Sequence, residues 1–248
     1  MIKNKNIIAI IPARYQSSRL PGKPLKDICG KPMIWWVYNQ VKKVTSFQDV
    51  IVATDNKLII NECGKYNIPT ILTKDTHPTH IHRLQEVSDK INADLYVCVC
   101  GDEPLIKPEV IEKVIPNNTN NDDIMVSALM REFTEPTEVI DPGNIKITTN
   151  NDGICVGLSR SPIPFPYKTI QYKYKKIVGV ECYNKKALDF FVSREAGCIE
   201  KIEDVTLLRF LENNIKMQFT LVETNALSVD TEKDLEKVKV IISRRGEN

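Results

Sequence analysis

Short, unbroken apolar runs alternate with amphipathic segments over the first 115 residues, and this alternation limits the possible folds more than any other feature of the chain. Residues 7–11 are continuously apolar and are closed by Pro12, as expected of a strand buried on both faces. A loop punctuated by Gly and Pro runs from Arg14 to Lys31. Residues 32–44 then read as a helix, with Ile34, Val37, Val41 and Val44 on one face. Residues 50–53 predict a second strand, 57–66 a helix and 70–72 a third strand. A further helix is expected over 83–91, and residues 95–100 are the most strand-like stretch of all. Strands separated by helices imply a parallel, doubly wound sheet, which binds ligands beyond the carboxyl ends of its strands.

The second half is less regular. The tract from Asn117 to Asp123 is polar and reads as a surface loop. A strand is expected over 124–130, and residues 144–149 with 154–158 predict a hairpin around Asn151, Asp152 and Gly153. Residues 203–213 and 231–243 read as helices, the second capped by Thr231 with Asp234 three positions on. At 248 residues the chain fits one large α/β domain or two small ones.

Composition enters mainly to exclude. With 42% hydrophobic residues the chain can fill a core, so global disorder is excluded. With 34 Lys and Arg against 32 Asp and Glu it carries no electrostatic footprint for nucleic acid or an anionic membrane. No apolar run approaches a membrane span. The apolar stretch near the N-terminus is too short for a secretory signal. Seven scattered cysteines fit reduced thiols, and a cytoplasmic location is the expectation.

Three segments that follow expected strands carry chemistry. In the first, Arg14, Arg19 and Lys23 lie in a loop shaped by Pro21, Gly22 and Pro24. Arginine forks and a lysine point charge suit a polyphosphate, although the Walker spacing is absent and a basic loop alone is as readily a solvated turn. In the second, Asp102 and Glu103 close the strongest strand, where adjacent acids suit a hard divalent cation or simply begin a helix. In the third, Asp230 precedes Thr231 at a helix start, the usual place for a plain cap. Asp102 and Asp230 can share one Mg²⁺ only if the fold brings them together.

The run over residues 11–25, IPARYQSSRLPGKPL, followed by GKPMI over 30–34, resembles the N-terminal signature of the CMP-Kdo synthetases, the 3-deoxy-manno-octulosonate cytidylyltransferases. Further anchors keep that family's order: IVATD over 51–55, GDEP over 101–104, Ser159 and Arg160 with Ile163 and Pro164, and Val229, Asp230 and Thr231 with Asp234. The resemblance implies a Rossmann-like nucleotide-diphospho-sugar transferase fold over residues 1–248. Its mixed, mostly parallel sheet would carry a small dimerisation lobe roughly within 134–220, used by a homodimer. It also implies transfer of CMP from CTP to an acidic acceptor with release of pyrophosphate. On matching positions, Arg14, Lys23 and Asp102 would be catalytic. Pro12, Ala13, Arg14, Ser17, Lys23, Thr79 and Arg83 would bind the nucleotide, and Asp102 and Asp230 would hold Mg²⁺.

The departures from the family pattern cluster. The tract that reads His-x-Ser-Gly-Thr-acid-Arg in the family is His77, Pro78, Thr79, His80, Ile81, His82 and Arg83 here. The spacing of its three histidines invites a zinc site. No carboxylate or cysteine is adjacent in sequence, so contact with ligand or solvent is the preferred reading. The family's Gln before GDEP is Cys100, on one strand face with Cys98 and Tyr96, where packing is the expected role. The acceptor run His-x-Gly-x-Tyr-x-Tyr becomes residues 177–183 with Glu181 and Tyr183, and a later Glu-Gln pair falls on Thr206 and Leu207. Cys100, Glu181, Tyr183 and Thr206 are therefore the candidate acceptor residues. The expectation is retained chemistry with an altered acceptor: a Kdo-like acid, a small phosphonate or phosphate, or in the limit a non-catalytic nucleotide binder. The Lys- and Tyr-rich stretch over 167–176 is expected to be an exposed strand or loop.

Overall fold

A computed structural model describes residues 5–17, 19–117 and 123–246. In chain order, β1 (Ile7–Ala13) leads through β2 (Asp27–Ile28) and β3 (Lys31–Pro32) into α1 (Met33–Val41), β4 (Asp49–Thr54), α2 (Lys57–Gly64) and β5 (Thr70–Leu72). There follow α3 (His80–Lys90), β6 (Leu95–Val99), α4 (Pro108–Ile111), β7 (Val126–Glu132) and α5 (Pro136–Val139). The hairpin β8 (Lys146–Thr149) and β9 (Cys155–Ser159) precedes β10 (Lys175–Tyr183), α6 (Lys185–Ser193), α7 (Cys198–Glu203) and α8 (Leu208–Glu212). The last elements are β11 (Met217–Leu221) and α9 (Glu232–Arg245).

The central sheet runs β11-β7-β10-β6-β1-β4-β5. The β1–β4, β1–β6, β4–β5 and β7–β11 pairs are parallel, while β10 is antiparallel to both β6 and β7. One strand thus runs against six others, and the sheet is mixed but mostly parallel, as expected. The β8–β9 hairpin hangs from the start of β10.

Alternation along β1 explains the layering. Ile7, Ala9 and Ile11 join a core with Ile34, Val37 and Val41 of α1, while Ile8 and Ile10 face Leu84 and Val87 of α3 and Phe191 of α6. The continuous apolar run is therefore a strand covered by helices on both faces. A third cluster packs Leu235, Val238 and Ile242 of α9 against Ile28, Met33 and Trp36. It docks the C-terminal helix on the β2–β3 hairpin and fixes the segment that carries Asp230. The capping box of Thr231 and Asp234 is present.

Two expected helices are corrected. The helix predicted to begin at Arg83 starts at His80, because the Thr79 side chain accepts from the His82 amide and caps the first turn. The helix predicted over 203–213 is two pieces, since Asp204 adopts a left-handed conformation at φ 50° and ends α7. The polar tract from Asn117 to Asp123 lies outside the described residues at positions 118–122. All seven cysteines are free thiols. Among the described residues no helix is long and apolar enough to cross a membrane.

Candidate active site

The chain crosses from β5 to β6 over β1, so a crevice opens beyond the carboxyl ends of β1 and β6, where such sheets bind ligands. Pro12 and Ala13 end β1, and the loop after it returns through Gly22, whose φ of 65° suits glycine and turns the chain into Lys23. Lys23 Nζ donates to Asp102 Oδ2 at 2.7 Å and to Asp230 Oδ1 at 3.0 Å. Arg19 reaches the same Asp230 oxygen at 2.9 Å. Burial disfavours the Lys23 charge, but the two carboxylates more than restore it and hold its pKa above the ordinary lysine value. The main chain draws the two acids together as well, because the Val229 amide donates to the Asp102 carbonyl at 2.9 Å.

A cavity of about 380 Å³ covers this floor. Pro12, Ala13, Arg14, Ser17, Lys23, Thr79, Arg83 and Asp102 all line it, so the expected nucleotide residues converge. Arg83 does so as a locked group. It is 4% exposed, donates to Asp55 Oδ2 at 2.7 Å and also bonds the Thr73 hydroxyl. Arg19 of the basic loop and His77 and His80, read from sequence as ligand or solvent contacts, line the cavity too, as does Asp204, which the sequence did not mark.

A second cavity of about 750 Å³ adjoins the first and shares Arg19, His80, Cys100, Asp102, Asp204, Thr206 and Asp230 with it. Of the four candidate acceptor residues, Cys100, Glu181 and Thr206 line it. Tyr183 does not. Its ring is fully buried against Phe210, and its hydroxyl donates to Glu181 Oε2 at 2.7 Å from behind. Glu181 and Tyr183 share a strand face, so burial of the tyrosine places the glutamate at the cavity edge. Gly179 of the same strand leaves room there, since a Cβ would lie 2.9 Å from Glu103 Oε1.

The second cavity also holds Glu103, read from sequence beside Asp102, and Lys176. Glu103 accepts from Ser228 at 2.6 Å through Oε1, while its buried Oε2 has no partner among the described residues. Burial and then the Asp102 charge push its pKa up to about 7. Lys176, expected in an exposed stretch, instead lines this cavity and bonds Asn144 Oδ1 at 2.7 Å, with burial lowering its pKa. Residues 167–171 and Lys173 of that stretch are exposed, Tyr167 and Ile170 each by 89%, whereas Tyr172, Tyr174 and Lys175 are partly buried.

The three histidines diverge to separate partners. His77 pairs with Glu86 at 2.6 Å, His82 with the Thr79 hydroxyl at 2.8 Å and His80 with Glu181 at 2.8 Å. Burial alone would neutralise His80, but the Glu181 charge and hydrogen bond prevail and lift its pKa to about 9. A His80 ring nitrogen, Cys98 Sγ and a Glu181 oxygen lie within 4.8 Å of one another. The carboxylate and thiol missing beside the histidines in sequence are thus supplied to His80 by β10 and β6. Cys98 is fully buried, in line with packing, and burial together with its contact to Cys98 keeps the Cys100 thiol protonated.

Comparison with known proteins places this geometry. A family model described as cytidylyltransferase matches residues 8–219. The 3-deoxy-manno-octulosonate cytidylyltransferase of Photobacterium profundum is 37% identical, over 94% of this chain and 98% of its own length. That of Fusobacterium nucleatum is 35% identical, over 93% and 94%. The solved structure of CMP:2-keto-3-deoxy-manno-octonic acid synthetase complexed with CTP is 33% identical with a TM-score of 0.91, covering 97% of this chain and 99% of that one. The inositol-1-phosphate CTP transferase from T. maritima, at 16% identity and a TM-score of 0.70, shares the fold.

Proposed function

This chain belongs to the cytidylyltransferase family, alongside the CMP-Kdo synthetases, and on that premise we propose that it transfers CMP from CTP to a small acidic acceptor and releases pyrophosphate. The observation that carries the reading is the meeting of Lys23, Asp102 and Asp230 on the floor of a cavity lined by Arg14, Arg19 and Arg83. Opposite charges held side by side suit a metal–triphosphate complex better than either sign alone.

Arg14 and Lys23 are assigned to the triphosphate, with Pro12, Ala13, Ser17, Thr79 and Arg83 around the nucleotide. The donor set fits Mg²⁺. Two carboxylates that converge on one ammonium within 3.0 Å can converge on one hard cation, leaving phosphate and water oxygens to complete its shell. Asp102 and Asp230 would hold it, and it would supply charge neutralisation to the phosphates. The acceptor, seated in the second cavity beside Cys100, Glu181 and Thr206, presents an oxygen to the α-phosphorus. Positioning and fixed charge then account for most of the rate. Phe165, Tyr167 and Ile170 are each at least 80% exposed within the expected lobe, which supports a homodimer formed through it.

Pyrophosphate release tests the reading. With CTP, Mg²⁺ and acidic acceptors the enzyme should release pyrophosphate, and ATP, GTP and UTP should be poorer donors. Failure to bind CTP in the presence of Mg²⁺ refutes it.

A further inference from the structure

His80 occupies a particular place. It borders both cavities, at the junction where nucleotide and acceptor meet if the cytidylyltransferase reading holds. Arg19, the other cation bordering both cavities among the described residues, is engaged by Asp230, and Lys23 of the first cavity by Asp102 and Asp230. The junction's acids are Asp102, Asp204 and Asp230, of which Asp102 and Asp230 are assigned to the metal under that reading. His80 differs. Nε2 is held by Glu181, while Nδ1 has no partner among the described residues.

The support behind the ring is rigid. Glu181 is 5% exposed and sits on β10 between its partners in β6 and β7. It takes a second hydrogen bond from the fully buried Tyr183, whose ring is fixed against Phe210. Two donors on one carboxylate oxygen spread its charge and lock its orientation. The imidazole is fixed in turn, and the carboxylate keeps it charged across the neutral range. A buried acid that serves only to anchor a half-exposed cation is a costly arrangement unless that cation meets an anion.

We propose that His80 seats the oxyanion of the acceptor at the junction of the two cavities, with Glu181 and Tyr183 as positioning residues. The proposal deepens the cytidylyltransferase reading and rests on it. It restricts the acceptor to small acids whose anionic group is, or directly adjoins, the attacking oxygen. Two sources share that chemistry: a phosphonate or phosphate, and a carboxylate on the carbon that bears the attacking hydroxyl. In either case the acceptor oxygen bonds the α-phosphorus. The bond from that phosphorus to the oxygen bridging to the β-phosphate breaks, and pyrophosphate departs with the electron pair. A phosphonate or phosphate oxygen attacks already unprotonated, whereas a hydroxyl passes its proton to water.

The test is a ³¹P NMR titration of methylphosphonate into the full-length protein loaded with α,β-methylene CTP and Mg²⁺, with a second arm in which Kdo is added as competitor. Saturable binding is expected for at least one of the two ligands. His80→Gln should weaken that binding at least tenfold and Glu181→Gln by a smaller factor, with affinity for the nucleotide analogue within twofold of wild type. The wild-type competition identifies the source: displacement by Kdo marks a carboxylate seat, and resistance to it a phosphoryl seat. If neither ligand binds, or if His80→Gln binds as wild type does, the seat is refuted while the cytidylyltransferase reading stands. If the nucleotide analogue itself does not bind, that underlying reading fails as well.

Discussion

The backbone amide of Val229 donates to the carbonyl of Asp102 at 2.9 Å, so the turn after β6 and the segment before α9 are joined by main chain and not only by their acidic side chains. The spacing of Asp102 and Asp230 therefore survives the loss of either carboxylate.

Asp102→Asn should accordingly fold with a Tm close to that of wild type. Its turnover should fall about 100-fold or more, the scale seen when one preorganised electrostatic group is removed. Paired thermal melts and pyrophosphate-release assays check this. Near-normal turnover would remove Asp102 from the site.

Lys23→Met leaves Asp102 and Asp230 facing one another without their shared ammonium. Like charges in a half-buried site repel, so this variant should melt below wild type in the absence of metal. Added Mg²⁺ should raise its Tm by more than it raises that of wild type, through ligand linkage. Equal Mg²⁺ responses in the two proteins would count against two acids sharing one cation.

The His80–Glu181 pair makes stability pH-dependent in a defined window. The groups around His80 are Glu181, Cys98 and Asp102, with Tyr183 behind Glu181. A folded pKa of about 9 against an ordinary histidine value of 6.5 means that the pair's contribution is complete below about pH 6.5 and lost as pH rises through 9. Denaturant melts at pH 6 and 9.5 should show a loss in wild type that is smaller in His80→Gln. The same slope in both proteins would place the titration elsewhere.

Leu235→Ala tests how far the α9 packing supports the site. Leu235 is 1% exposed in the third apolar cluster, and its truncation should cost about 2–5 kcal/mol. Because that cluster anchors the segment carrying Asp230, nucleotide affinity measured with Mg²⁺ should fall with the Tm. Destabilisation with unchanged affinity would show that the Val229 hydrogen bond alone sets the position of Asp230.

What was legible in the sequence depended on range. Arg14, Lys23, Asp102 and Asp230 each sit just after a strand or at a helix start, and a local pattern suffices to mark such places. His80 was masked by two local facts: the Thr79 cap moved the helix start, and the partner of His80 lies on β10, 101 residues away. Asp204 was hidden inside an apparent helix that a left-handed residue interrupts. Tyr183 shared its strand face with Glu181, but whether that face opens to a cavity or to the core is set by Phe210 and α6, which no spacing within β10 encodes. Lys176 looked like one more surface lysine until the hairpin docked beside it.

The reversed direction of β10 has a consequence for how such an enzyme can change. Its antiparallel neighbour β6, and β1 beyond it, carry Asp102 and Arg14 in the turns at their ends, whereas β10 contributes Lys176, Gly179 and Glu181 from along its own length. Substitutions at Lys176 or Glu181 would therefore reshape the second cavity without touching the turns after β1 and β6. His80 and Cys100 have no such freedom, because each borders both cavities and any change there is felt on both sides.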